Sequence, residues 1–158
     1  MFTTRTLLAI AAVVGIAACS APKSEPAPTK PQMEHINLTA NWPYPFSTAV
    51  RVGNMLYLSG QMGTQIVDGK PALVSGGIEA EAKQTLENIK AVLARVGLTL
   101  DNVVECKVML ADMKDWPKFN EIYASYFPGP KPARSAWGAN GLALGGRVEI
   151  TCMATTDK

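Results

Sequence analysis

The sequence predicts an α+β domain in which two helices pack on one face of a sheet. Three observations carry that expectation. Two stretches place apolar residues at three- and four-residue steps, short strand-like runs stand before, between and after them, and glycine or proline punctuates the junctions. In chain order the elements read β-β-α-β-α-β-β.

In "TAVRVGNMLYLSGQ" two β-rich runs meet at Gly53-Asn54, a plausible two-residue hairpin turn, and Ser59, Gly60 and Gln61 close the second run. "IVDGKPALV" suggests a weaker hairpin around Asp68-Gly69. After Gly76 and Gly77, the residues Ile78, Ala82, Leu86, Ile89, Leu93 and Val96 recur at helical spacing. Glu79 and Glu81 fall in the first turn and Gly97 stands at the end. "NVVECKVMLADM" alternates as a strand with Val104, Cys106, Val108 and Leu110 on one face. A second helix follows, with Asp115 as N-cap, Pro117 in its first turn, an apolar stripe of Phe119, Ile122, Tyr123 and Tyr126, and "PGPKP" as its stop. That stripe reads as core. "ARSAW" and "RVEITCMATT" are the last strands, joined by the glycine-rich "GANGLALGG".

The ends read differently from the domain. Residues 1–18, "MFTTRTLLAIAAVVGIAA", carry one early positive charge and then an apolar run of signal-peptide length. Cys19 follows in "IAACS", a pattern that resembles a bacterial lipobox. On that reading Cys19 is lipidated and Ser20 points to the outer membrane, facing the periplasm; cleavage after Ala18 to give a soluble periplasmic protein is the alternative. Residues 19–36 are a lipidated cysteine plus a proline-rich tether, too poor in apolar surface to fold. Residues 37–158 then form one domain with a single core.

Charge and side-chain inventory exclude several functions. The formal net charge is +2, and removing residues 1–18 takes away one basic side chain, Arg5, so nothing suggests nucleic-acid binding. The single histidine, His35, lies in the tether, and Cys106 and Cys152 stand singly in strand-like runs. No cluster has metal-ligand spacing, so no zinc site is expected. The two cysteines are either core residues or, if the strands bring them together in an exported domain, a disulfide.

Two charged residues raise a chemical question. Arg134 sits among Ala133, Ser135 and Ala136, whose small side chains leave room around a guanidinium whose rigid fork of donors fits a carboxylate. Glu149, between Val148 and Ile150, points to the strand face opposite theirs. If the last two strands pair as a hairpin, one register would put Arg134 beside Glu149 on one wall, where the pair could hold an acid and present a base to water. A surface arginine and a plain cross-strand salt bridge are the alternatives.

"PFSTAVRVGNMLYLSGQ", "AKQTLENIKAVLARVG", "LADMKDWPKFNEIYASYF", "PARSA" and "VEI", in that order over about residues 42–155, resemble the Rid family of enamine/imine deaminases, also called the YjgF type. The resemblance implies a chorismate-mutase-like fold with a mixed sheet and a homotrimer with ligand sites at subunit interfaces. The reaction it implies is hydrolysis of 2-enamino or 2-imino acids to 2-oxo acids and ammonia without metal or organic cofactor, as in a 2-iminobutanoate/2-iminopropanoate deaminase. On this resemblance Arg134 binds the substrate carboxylate and Glu149 positions or activates water. Ser59 and Asn120 line the pocket, Phe46 stands where active members commonly carry tyrosine, and Ala136 contributes a backbone carbonyl where well-known members have cysteine. A non-catalytic trimer that binds small carboxylates or a protein partner in the cell envelope is the second reading.

Overall fold

The computed structural model describes residue 30 and residues 32–157; the signal segment and Cys19 lie outside the described residues. The strands are β1 (Met33–Ile36), β2 (Ala49–Val52), β3 (Met55–Leu58), β4 (Gln61–Met62), β5 (Thr64–Val67), β6 (Lys70–Leu73), β7 (Val103–Leu110), β8 (Ala133–Gly138) and β9 (Val148–Thr155). The helices are α1 (Gly77–Ala94) and α2 (Trp116–Tyr126). The main sheet runs β1-β2-β3-β9-β7-β8, with β4 continuing beside β9 where β3 ends, while β5 and β6 make a separate hairpin. The sheet is mixed: β7 and β8 are parallel across the α2 crossover, and the other pairs are antiparallel.

Both hairpins expected from glycine positions form. Gly53 has φ +59 between β2 and β3, and Asp68 and Gly69 both take positive φ between β5 and β6, the geometry a tight two-residue turn requires. Helix α1 buries Ala82, Leu86, Ile89 and Leu93, four of the six residues read as its stripe; Val96 lies past its end, before Gly97 at φ +76. Their partners on the sheet are the buried alternates Leu56 and Leu58 of β3, Val108 and Leu110 of β7, and Val148 and Ile150 of β9. The intervening residues Tyr57, Met109, Glu149 and Met153 are on the other face, which carries neither helix.

Four sequence expectations need correction. The tether was read through residue 36, but Met33–Ile36 pairs with β2, so His35 lies in the sheet. In β7 a register irregularity between Val103 and Glu105 buries Val103 and leaves Val104 exposed, off the face of Cys106, Val108 and Leu110. Asp115 flanks α2 but makes no side-chain cap; its carboxylate is turned to Arg147. Strands β8 and β9 do not pair as a hairpin, because β7 lies between them: Cys106 faces Arg134 on one side and Cys152 on the other. Cys106 and Cys152 form a disulfide across β7 and β9.

Candidate functional site

Arg134 lies on β8, the sheet's edge strand, with its side chain under α2. Directly paired residues share a face, and its partner Cys106 is fully buried, so Arg134 points to the helix-bearing side. There residues 116, 120 and 123 present one face of α2 at four- and three-residue spacing. The guanidinium carbon stands 4.8 Å from the Trp116 ring centroid and 4.5 Å from that of Tyr123, and Nη2 donates to Asn120 Oδ1 at 2.8 Å. Two neutral rings and an amide therefore fix the fork without neutralising it. No carboxylate among the described residues is paired with Arg134. Burial pushes the Tyr123 phenol up to about 12, against the opposing pull of Arg134, so the ring stays neutral at physiological pH.

Glu149 is half-buried on the other face of the sheet, paired with Met109 of β7 and Met62 of β4. It shares no wall with Arg134. The two are two strands apart, about 10 Å, and about three residues along the strands, another 10 Å. Burial raises the Glu149 carboxyl from its ordinary range. Gly60 makes the space for it: a Cβ at that position would come within 1.9 Å of Glu149 Oε1. Asn88 of α1 secures the neighbouring strand by donating to the carbonyls of Met62 and Thr64, each at 2.9 Å.

Ser59 precedes Gly60, and its hydroxyl donates to the Ser47 carbonyl at 2.7 Å. That bond ties the segment carrying Phe46 to the Glu149 side of the sheet. Phe46 is half-exposed and stacks on Tyr44. Ala136 shares the face of Arg134 and packs against the core, two residues along the same edge strand. The sequence-derived residues thus fall into two groups, Arg134, Asn120 and Ala136 at the β8 edge, and Phe46, Ser59 and Glu149 around the β2-β3-β9 junction. Four strand spacings, about 19 Å, separate β2 from β8. Trp116 and Tyr123 escaped the sequence reading as ligand-site residues; their shared helical face with Asn120 is the signal that marks them.

This fold matches known proteins. Residues 39–156 match the family model described as endoribonuclease L-PSP. The chain belongs to this family, the YjgF/Rid family. Among curated members, it is 46% identical over 110 residues to mouse 2-iminobutanoate/2-iminopropanoate deaminase, covering 70% of this chain and 80% of that one. The human protein of the same name is 44% identical, with coverage of 70% and 79%. Among solved structures, RidA from an Antarctic Psychrobacter matches with TM-score 0.65 at 34% identity, covering 81% of this chain and 99% of that one. Yeast Mmf1 matches with TM-score 0.67 at 32% identity, covering 78% and 98%. The family's fold is therefore this chain's fold, two helices on a mixed sheet.

Proposed function

We propose that this Rid-family chain is a deaminase that hydrolyses 2-imino or 2-enamino acids to 2-oxo acids and ammonia, with each site built from two chains of a homotrimer. The carrying observation is Arg134: a cation fixed between Trp116 and Tyr123, held by a neutral amide and left without a carboxylate of its own. Such a fork suits bidentate capture of a substrate carboxylate. The similar deaminases support the reaction class.

Glu149 is the base in this reading. Its partly buried carboxylate takes a proton from water as the oxygen bonds to the electrophilic imine carbon. It returns the proton as the carbon–nitrogen bond breaks, so one imine and one water give one oxo acid and one ammonia. Arg134 and Glu149 lie on opposite faces of one sheet, so the Arg134 group of one chain meets the Glu149 group of another. The face around Tyr57, Met109 and Met153 carries no helix, and a second and third copy would cover it.

A carboxylate-binding trimer without turnover is favoured by two details: Phe46 lacks a hydroxyl, and the Ser59 hydroxyl is committed to Ser47. One experiment separates the readings. Chain added to freshly generated 2-iminobutanoate is followed by release of the oxo acid over the uncatalysed background. The deaminase shows catalysed release, and Arg134→Lys, which keeps charge and loses the fork, lowers kcat/KM by about one to two powers of ten. No catalysed release from this imine or from a bulkier 2-imino acid ends the deaminase reading.

We also propose that the protein works in the cell envelope, anchored by lipid on Cys19. The Cys106–Cys152 bridge supports an oxidising compartment. Cys19→Ser is expected to abolish fatty-acid labelling and membrane fractionation; a labelled, membrane-bound variant overturns the anchor.

A further inference from the structure

Residues 37–48 connect β1 to β2 and carry an aromatic cluster in which Phe46, of the Glu149 group, meets Trp42 and Tyr44. Tyr44 and Phe46 stack with ring centroids 5.5 Å apart and planes 21° from parallel. Trp42 meets both edge-on, at 5.0 Å and 6.1 Å, and its indole N–H donates to the Phe46 carbonyl. The segment is tied at both ends. Asn37 Oδ1 accepts from the Thr48 amide at 3.1 Å, and Ser47 Oγ lies 3.0 Å from His35 Nδ1. These rings form a wall of an open concavity of about 430 Å³, whose other lining residues include His35, Asn37 and Val50. No carboxylate, lysine or arginine lines it. Tyr44 and Phe46 remain 38% and 50% exposed.

Ser47 links the concavity to the Glu149 group. Ser47 accepts the Ser59 hydroxyl, and Gly60, the next residue, lies against the Glu149 carboxylate. A 2-imino acid whose reacting carbon stands at Glu149 would extend its side chain past Ser59 and Ser47 toward Phe46. We propose that Trp42, Tyr44 and Phe46 are the side-chain subsite of the enzyme, and that its preferred substrates are 2-imino acids with aromatic side chains. This rests on the deaminase reading and adds the substrate class. A flat, uncharged side chain stacks on Phe46 and Tyr44, whereas a methyl side chain reaches neither and a charged one meets no counter-charge.

The test compares imines made in place from phenylalanine and from alanine by an amino-acid oxidase, with 2-oxo acid release corrected for spontaneous hydrolysis. The wild-type chain is expected to show higher kcat/KM for the phenylalanine-derived imine. Trp42→Ala, Tyr44→Ala and the better-filled Tyr44→Leu should each reduce the aromatic-to-small ratio about two- to tenfold. A wild-type preference for the alanine-derived imine, or a ratio the folded variants leave unmoved, overturns the subsite. Affinity for phenylpyruvate against pyruvate is measured on the same proteins. If neither imine turns over but phenylpyruvate binds more tightly and the variants erase that difference, the subsite stands and the deaminase reading falls. Equal binding of the two acids overturns the subsite.

Discussion

At the scale of single residues, Arg134 and Glu149 were visible in the sequence as charges out of place, but their relation was not. The alternation around Val148 and Ile150 put Glu149 on the opposite face from the core, and the structure does the same. What a strand pattern does not encode is which strand lies beside it. Burial gives Glu149 a testable signature. The carboxyl holds its proton above the ordinary glutamate range, and a base must release it to work. The acid limb of kcat against pH is therefore expected above that range, and Glu149→Gln should lower kcat by about 10²- to 10⁴-fold and remove the limb. The stability effect has the opposite sense. The folded state binds this proton more tightly than the unfolded chain, so its contribution is greatest at low pH and is lost as pH rises from the ordinary to the raised value. Unfolding midpoints of wild type and Glu149→Gln across pH 4 to 8 should differ in slope in that direction. Gly60→Ala probes the same carboxylate from the other side. The new methyl meets Oε1, the mobile end of the side chain, and Gly60 has no positive φ to forbid alanine. Displaced carboxylate with retained fold is expected, read as reduced kcat at an unchanged melting temperature.

Between elements, α2 shows how a correct pattern can be given too simple a meaning. Phe119 and Ile122 are core, as the apolar stripe suggested, whereas Tyr123 serves both the core and Arg134. Helical spacing marks which residues share a face and is silent on whether a cation from another strand joins them. Arg147 carried no signal in the sequence. Its amide donates to the buried Glu81 carboxylate at 2.7 Å, its carbonyl accepts from Ala111 at 3.0 Å, and its guanidinium binds Asp115 at 2.7 and 2.8 Å. It thereby joins the second turn of α1, where Glu81 lies one turn further in than the sequence suggested, the start of α2 and the start of β9, two residues before Glu149. The exposed Arg147–Asp115 pair contributes little in water. The Glu81 bond contributes more, since the carboxylate is buried and its loss leaves the Arg147 amide without an acceptor. Glu81→Ala is expected to destabilise by about 1 to 3 kcal/mol, with Glu81→Gln recovering part, measured as a fall in urea midpoint at unchanged m.

Over the whole molecule, sheet order decides what one chain can do. Both helices, both hairpins and strands β7 to β9 were legible because turn glycines and apolar periodicity are local. The order β1-β2-β3-β9-β7-β8 was not, because the choice of β7 as the common neighbour of β8 and β9 is made by packing between distant segments. That choice puts Phe46, Ser59 and Glu149 on one side of the protein's central strands and Arg134 with Asn120 at the far edge. If two chains complete each site, a variant defective in one group can be rescued by a variant defective in the other. Arg134→Ala and Glu149→Gln chains, each inactive alone, are denatured together in equal amounts and refolded. In a random trimer, a site is intact when the chain giving its arginine carries the Glu149 change and the chain giving its glutamate carries the Arg134 change. That happens at about one site in four, so the mixture should recover about a quarter of wild-type activity. Sites formed within one chain would recover none, since every chain in the mixture lacks one of the two residues.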